Sequence, residues 1–196
     1  LEDRYSLENA AYLSHMWKIS PSLQLDYGFR LSAFSIIGSG HYYRINDGII
    51  TDTMSFRKGE FAHTYFQAEP RASLALQLDE KNGLKASYSR NTQNLHLVSN
   101  TTSLSPTDRW IASTNIIKPE LSDQFALGYY KSLFNSTVDF SVEGYYKHLQ
   151  HQIDYKNGAD IFTNAPIETL LLFGKGSAYG LELLWRTKLG RATGWL

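Results

Sequence analysis

The chain contains no cysteine. That excludes a disulfide framework and thiolate chemistry, and it leaves the redox compartment unread. Nor does it hold an apolar run approaching the roughly eighteen residues that a membrane-crossing helix needs. Charge of one sign is missing too: 19 Lys and Arg balance 19 Asp and Glu. A neutral chain offers no general electrostatic case for binding nucleic acid. Apolar residues at helical spacing are absent from every long segment, which removes alternating helix-and-strand folds. The opening residues, LEDRYS, include neither an initiator Met nor a leader. A mature or excised piece of a longer product is therefore expected.

What is present is alternation. The stretch from Phe173 to Gly190 reads FGKGSAYGLELLWRTKLG. From Ala178 onward, Tyr179, Leu181, Leu183, Trp185 and Thr187 fall on one face of an extended strand. Ala178, Gly180, Glu182, Leu184, Arg186 and Lys188 fall on the other. Side chains along a strand alternate between faces, so one face is oily and the other mostly charged or small. A helix would mix Glu182, Arg186 and Lys188 into the apolar stripe. The run also exceeds the usual five or six residues of a soluble strand and reaches the roughly nine to eleven of a tilted bilayer-spanning one.

The same pattern recurs along the chain. Asn9 to Ile19 is a weak first strand, and Ser20, Pro21 and Ser22 form a tight turn. Leu23 to Phe34 follows as a clear second strand. Ser35 to Ala62, rich in Gly, Asp, Ser and Tyr, reads as a long irregular segment. Tyr65 to Leu78 is a third strand, in which Pro70 cannot donate to a ladder and marks a bulge or a frayed upper end. Asp79 to Gly83 closes on a hairpin Asn-Gly, and Leu84 to Ser89 is the fourth strand. A second long loop runs from Arg90 to Pro119. Leu121 to Lys131 and Thr137 to His148 are strands five and six, joined by a turn at Ser132 to Ser136. A third long loop, Gln150 to Lys175, leads into the seventh strand. Arg191 to Gly194 then turns the chain, and Trp195 and Leu196 begin an eighth.

Connections therefore alternate short and long, as they do when tight turns gather at one end of an antiparallel barrel and long loops at the other. Aromatic residues make up 14% of the chain, with thirteen Tyr, which suits strands and membrane-interface belts. A soluble sandwich or ligand-binding barrel would alternate too. Strand length and one-sided long loops favour a transmembrane barrel whose outward face meets lipid.

Several stretches carry a resemblance. PRASLALQL (70–78), LKASYSRNTQNLHL (84–97), SPTDRWIAS (105–113) and IKPELSDQFALGYYK (117–131) are four of them. VEGYYKHLQHQIDYKNGA (142–159), GKGSAYGLELLWRTKLGRATGWL (174–196) and, more weakly, LDYGFRLS (25–32) are three more. In this order the chain resembles the C-terminal part of the barrel of TonB-dependent outer-membrane receptors, in the style found in Bacteroidetes. The resemblance implies an all-β antiparallel transmembrane β-barrel. Residues 1–196 would supply about seven strands of a barrel of about 22, with short periplasmic turns and long extracellular loops. It implies capture of a nutrient (siderophore, vitamin, glycan or peptide) and its passage inward on energy from the TonB complex. Its partners would be outer-membrane lipid, the receptor's own plug domain and a surface lipoprotein over the loops. The plug, the TonB-contacting segment and the last strand have no counterpart here, so this piece alone should transport nothing. A complete small barrel acting as adhesin, closed by eight strands, and a secreted β-rich lectin or enzyme remain as alternatives.

Residue chemistry is sparse, and neither catalysis nor a cofactor is expected. Ser55 and Lys58 match Ser-x-x-Lys without its companion motifs. His148 and His151, with Asp154 nearby, lie on opposite faces of a strand and read as solvated residues at a loop base, not as metal ligands. Asn100 and Asn135 begin glycosylation sequons that count only in a secretory eukaryote. Gly174, Lys175 and Gly176 lack phosphate-loop spacing and read as relief of strain where loop re-enters strand. Arg30, Glu69, Arg71, Glu143, Glu182 and Arg186 belong to the polar face, as paired lumen charges or as contacts to the plug. Tyr42, Tyr43, Arg44, Trp110 and Phe162 are the loop residues expected to meet a ligand, from exposure and amphipathic chemistry.

Overall fold

The computed structural model describes residues 4–46, 49–98, 108–134, 137–159, 165–189 and 192–196. Seven long strands carry the fold: β1 (Tyr5–Ser20), β2 (Leu23–Ile37), β5 (Phe61–Gln77), β6 (Asn82–Gln93), β9 (Glu120–Leu133), β10 (Val138–Tyr155) and β11 (Leu171–Leu189). A short β12 (Ala192–Trp195) pairs with the end of β11. Together they form one antiparallel sheet in the order β1-β2-β5-β6-β9-β10-β11-β12. Every neighbour in it is the next long strand along the chain, so the connections do not cross. The 19 residues of β11 measure about 60 Å along the strand, more than any bilayer requires, so the strands rise above the membrane on one side.

Register converts alternation into two continuous surfaces. One rung joins Trp17, Leu25, Leu74, Ala86, Leu127, Gly144 and Leu181 across seven strands. The next rung toward the long loops is an aromatic row: His15, Tyr27, Ala72, Tyr88, Phe125, Tyr146 and Tyr179. Leu127, Leu181 and Leu183 lie well exposed on this face, at 62–68%. An uncovered leucine surface of such extent is tolerated only against lipid or a partner. The opposite face carries Asp26, Arg30, Glu69, Arg71, Lys85, Glu143, Glu182 and Arg186. Two of its glycines make room for aromatic rings laid flat on the wall. A Cβ on Gly180 would sit 2.8 Å from the Tyr145 hydroxyl, and one on Gly128 would sit 3.0 Å from the Tyr130 ring. Glycine in a strand often marks such a close approach.

Several details differ from the sequence reading. Two of the three segments read as long loops each contain a hairpin: β3 (Gly40–Asn46) with β4 (Ile49–Phe56), and β7 (Leu95–Val98) with β8 (Arg109–Ala112). Their polar composition conceals short alternation that becomes stable only by packing on the long strands. β10 continues to Tyr155, so His148 and His151 are strand residues. A bulge falls between Gln150 and Gln152, where His151 takes a left-handed conformation with φ of 57°. The β5–β6 turn does not use its Asn-Gly. The Asp79 carboxylate accepts from the Lys81 and Asn82 amides at 2.7 and 2.9 Å, so the chain turns one step early. Asn82 and Gly83 already lie in β6. Pro70 keeps its place opposite Phe29 with neither a bulge nor fraying, since β5 stays paired with β2 as far as Phe61; only the β5–β6 ladder ends beside it, at Arg71. Finally, β1 and β12 are the free edges of the sheet, so these eight strands do not close into a small barrel.

Candidate functional site

The long connections converge at one end of the sheet and pack on one another. Tyr42 of β3 packs with Phe34 and Ile36 of β2, while Val98 of β7 and Ile111 of β8 pack with Ile117, Tyr155 and Leu171. Polar bonds tie these groups together. Tyr65 donates its hydroxyl to the Thr114 carbonyl at 2.7 Å. Asn115 donates to the Tyr43 carbonyl at 2.8 Å. Arg4, just before β1, reaches Glu168 in the 3-10 turn Ile167–Thr169 at 2.7 Å and covers the Tyr42 ring. The loops thus form a cap with a core of its own.

Beneath the β7–β8 hairpin lies a buried polar clamp. His96 places Nδ1 3.1 Å from the Glu120 carboxylate and Nε2 3.0 Å from the Ser113 hydroxyl. Gln152 donates to the other Glu120 oxygen at 3.1 Å. A ring that donates from Nδ1 to the carboxylate leaves Nε2 for the hydroxyl, which can donate or accept. Serine, histidine and carboxylate in series resemble a hydrolase relay. Here the serine and the ring are each 1% exposed, so no substrate carbonyl reaches the hydroxyl. Sequence reasoning missed this cluster because its bonded members lie 17, 24 and 32 residues apart.

The polar face carries a second network. Arg30 pairs with Glu8 at 3.0 Å and with Glu69 at 3.5 Å. Thr92 donates to Glu69 at 3.0 Å, Gln67 to Asn94 at 2.7 Å, and Asn94 to Glu8 at 3.3 Å. These bonds stitch β5 to the continuation of β6 above the point where their ladder ends. They border a polar cavity of about 350 Å³ that also takes in Arg71. Further along, Glu143 stands directly opposite Glu182. The Tyr130 hydroxyl donates to Glu143 at 3.0 Å. Among the described residues neither glutamate has a cation within ion-pair distance, and neither Arg71 nor Arg186 has an acid. Of the expected lumen charges, then, Arg30 and Glu69 come together, whereas Arg71, Glu143, Glu182 and Arg186 do not pair.

The expected ligand contacts scatter. Tyr42, read as an exposed loop aromatic, is 1% exposed because it anchors the β3–β4 hairpin. Tyr43 is half-buried, Arg44 is exposed near Asp52, and Trp110 stands 69% exposed beside Leu97 on the outer face of β7–β8. Phe162, Asn100 and Asn135 lie outside the described residues. No group of three metal-ligating side chains forms among the described residues.

Open antiparallel sheet, lipid-type outer face and capped polar inner face are the parts of one barrel wall. The model of the family described as TonB dependent receptor-like, beta-barrel matches residues 2–196. The chain belongs to the TonB-dependent receptor β-barrel family. Solved receptors agree in fold. The alcaligin outer-membrane receptor FauA of Bordetella pertussis matches with a TM-score of 0.57 at 18% identity, over 98% of this chain and 30% of its own. The FrpB iron transporter of Neisseria meningitidis gives 0.60 at 11%, over 95% and 24%. The ferripyoverdine receptor of Pseudomonas aeruginosa gives 0.60 at 13%, over 98% and 22%. No curated protein is similar enough in sequence to count as a relative. The chain spans between about a fifth and a third of these receptors. It is a stretch of outer-membrane β-barrel, and the proteins it resembles are receptors and transporters, not enzymes.

Proposed function

We propose that the chain is part of a receptor that binds a scarce nutrient at the cell surface and admits it through the barrel lumen on energy from TonB. The observation that carries this reading is the division of one sheet into a lipid-facing apolar wall and a charged concave wall roofed by packed loops. Adhesion would need neither a charged inner wall nor a roof over it. Among receptors of similar fold, one is a receptor for alcaligin and another for ferripyoverdine. A chelated metal nutrient is the ligand class this supports, ahead of vitamin, glycan or peptide. Tyr43, Arg44, Trp110 and Phe162 are the proposed loop contacts; buried Tyr42 holds in place the hairpin that carries Tyr43 and Arg44. Glu143 and Glu182 are proposed to face the plug, since two carboxylates side by side on an inner wall call for cations from outside the sheet. A surface lipoprotein over the loops is a further proposed partner.

The test is fractionation of source cells, blotting with an antibody to this region, followed by growth on a panel of limiting nutrients with and without the gene. A band several times the mass of this chain in detergent-extracted outer membrane, with growth lost on one chelated metal, is expected. A soluble band at 22.3 kDa would refute the receptor outright. Loss on a glycan or vitamin would retain the receptor and correct its ligand class.

A further inference from the structure

On the outward face the sheet turns from apolar to charged just above its aromatic row, toward the long loops. Along β10 the outward residues Val138, Phe140, Val142, Gly144 and Tyr146 carry no charge, and along β11 Trp185, Leu183, Leu181 and Tyr179 carry none. The β10 run covers about nine residues, the length with which a tilted strand crosses a bilayer. The next outward rung joins Arg90, Asp123, His148 and Ser177 across β6, β9, β10 and β11. Lys175 follows one outward position higher, exposed and opposite Gln150. The acid of this patch is already taken. Asp123 is 8% exposed and accepts from the Tyr88 hydroxyl at 2.7 Å and from Arg90 Nε and Nη2 at 2.8 and 2.9 Å. Arg90 keeps Nη1 for another acceptor, and Lys175 forms no ion pair among the described residues. With His148 between them, they line the upper edge of the lipid face over a buried carboxylate.

We infer that this patch seats the headgroup of an outer-leaflet lipid carrying two phosphates on a sugar scaffold. Long loops mark the extracellular side, so the leaflet is the outer one. Lipids whose acyl chains cover Leu127 and Leu181 hold their headgroups at the height of this patch. Charge sets the sign of the occupant, since cations at the membrane surface attract anionic headgroups. Arg90 offers its remaining N–H donors to phosphate oxygens, and Lys175 a compact positive charge. Geometry sets the number of phosphates. From Arg90 on β6 to Lys175 on β11 is three strand steps, about 14 Å around the wall, wider than one phosphate bridges. Two phosphates joined through a single glycerol stand too close together, whereas phosphates at either end of a disaccharide reach both cations. The inference rests on the membrane wall and is independent of the nutrient.

The test uses the native-length polypeptide, purified in a non-ionic detergent and offered diphosphoryl lipid A, monophosphoryl lipid A or cardiolipin. Bound lipid is read as mass adducts by native mass spectrometry. Diphosphoryl lipid A should give the highest yield. Lys175→Gln should lower that yield about fivefold, the effect of one surface cation on an anionic lipid. Lys175→Arg should retain it, and Lys131→Gln, beside the short turns on β9, should leave it unchanged. Each variant should keep the gel mobility of the folded barrel, and the comparison of lipids on the unaltered protein stands whatever the variants do. No adduct, equal yields from the two forms of lipid A or a preference for cardiolipin would overturn the site. So would a yield indifferent to Lys175→Gln or an equal loss in Lys131→Gln. All of these leave the receptor reading standing, which falls instead on recovery of the protein in the soluble fraction.

Discussion

Leu183 and Glu182 are adjacent in sequence and face opposite media, which makes them a paired test of the membrane reading. Leu183 stands opposite Val142 on the outward face, between Leu181 and Trp185 and four residues from Tyr179. That puts it near the middle of the apolar belt. Arginine at the midplane of a membrane barrel costs about 2–4 kcal/mol, falling toward zero at the interfaces. Leu183→Arg should therefore lower the folded-to-unfolded ratio by roughly thirty- to a thousandfold, at about 1.4 kcal/mol per factor of ten. Glu182→Gln removes a charge from a site where Glu143 is its nearest opposite neighbour and no described cation answers it. Its effect should stay within about 0.5 kcal/mol and should favour folding by relieving like-charge repulsion. The assay is urea-titrated folding of the native-length polypeptide into phospholipid vesicles, read by the shift in gel mobility between folded and heated protein. In water the gap between the two variants would close, because replacing a leucine that is 62% exposed with arginine costs little at a solvated surface. A Leu183→Arg protein as stable as the parent would refute the assignment of the two faces.

Gly180→Ala should destabilise by about 1–3 kcal/mol, because its new Cβ would meet the Tyr145 ring at under 3 Å; adding Tyr145→Ala should recover part of that loss, and a purely additive double-mutant cycle would count against the close approach. His96→Ala should leave Ser113 and one of the two Glu120 oxygens unanswered beneath the cap, costing about 1–3 kcal/mol locally. Amide exchange in β7 and β8 should rise while the mid-strand amides of β9 and β10 stay protected, and a uniform rise would contradict a local clamp. The Asp79 turn should be acid-sensitive. The amides of Lys81 and Asn82 and the Asn82 side chain hold the Asp79 carboxyl below its ordinary range, so the turn gains stability above the unfolded value and loses it as pH falls through the folded one. Amide exchange at Lys81 and Asn82 should accelerate, relative to the intrinsic rate, only below the ordinary carboxylate range, and Asp79→Asn should lose that pH dependence.

Much of the wall follows from sequence alone, and for one physical reason. Side-chain direction in a strand repeats every two residues, so each strand states its own inside and outside without knowledge of its neighbours. Leu25, Leu74, Leu127 and Leu181 declare the lipid face, and Arg30, Lys85, Glu143 and Glu182 the inner one. The alternation of short and long connections likewise set the order of the sheet. Tertiary structure decided whatever depends on register or on chain folding back from a distance. Pairing Arg30 with Glu8 and Glu69, and leaving Glu143 opposite Glu182, required the alignment of five strands. The β3–β4 and β7–β8 hairpins were hidden because short polar strands gain stability only against Phe34, Ile36 and Tyr155. Tyr42, exposed by composition, became a core residue for the same reason. The Asn82-Gly83 pair lost its turn to Asp79, whose carboxylate satisfied the amides first. The clamp around His96 joins residues 17 and 24 positions apart, a distance across which no sequence period operates and only the packed cap brings them within hydrogen-bond reach.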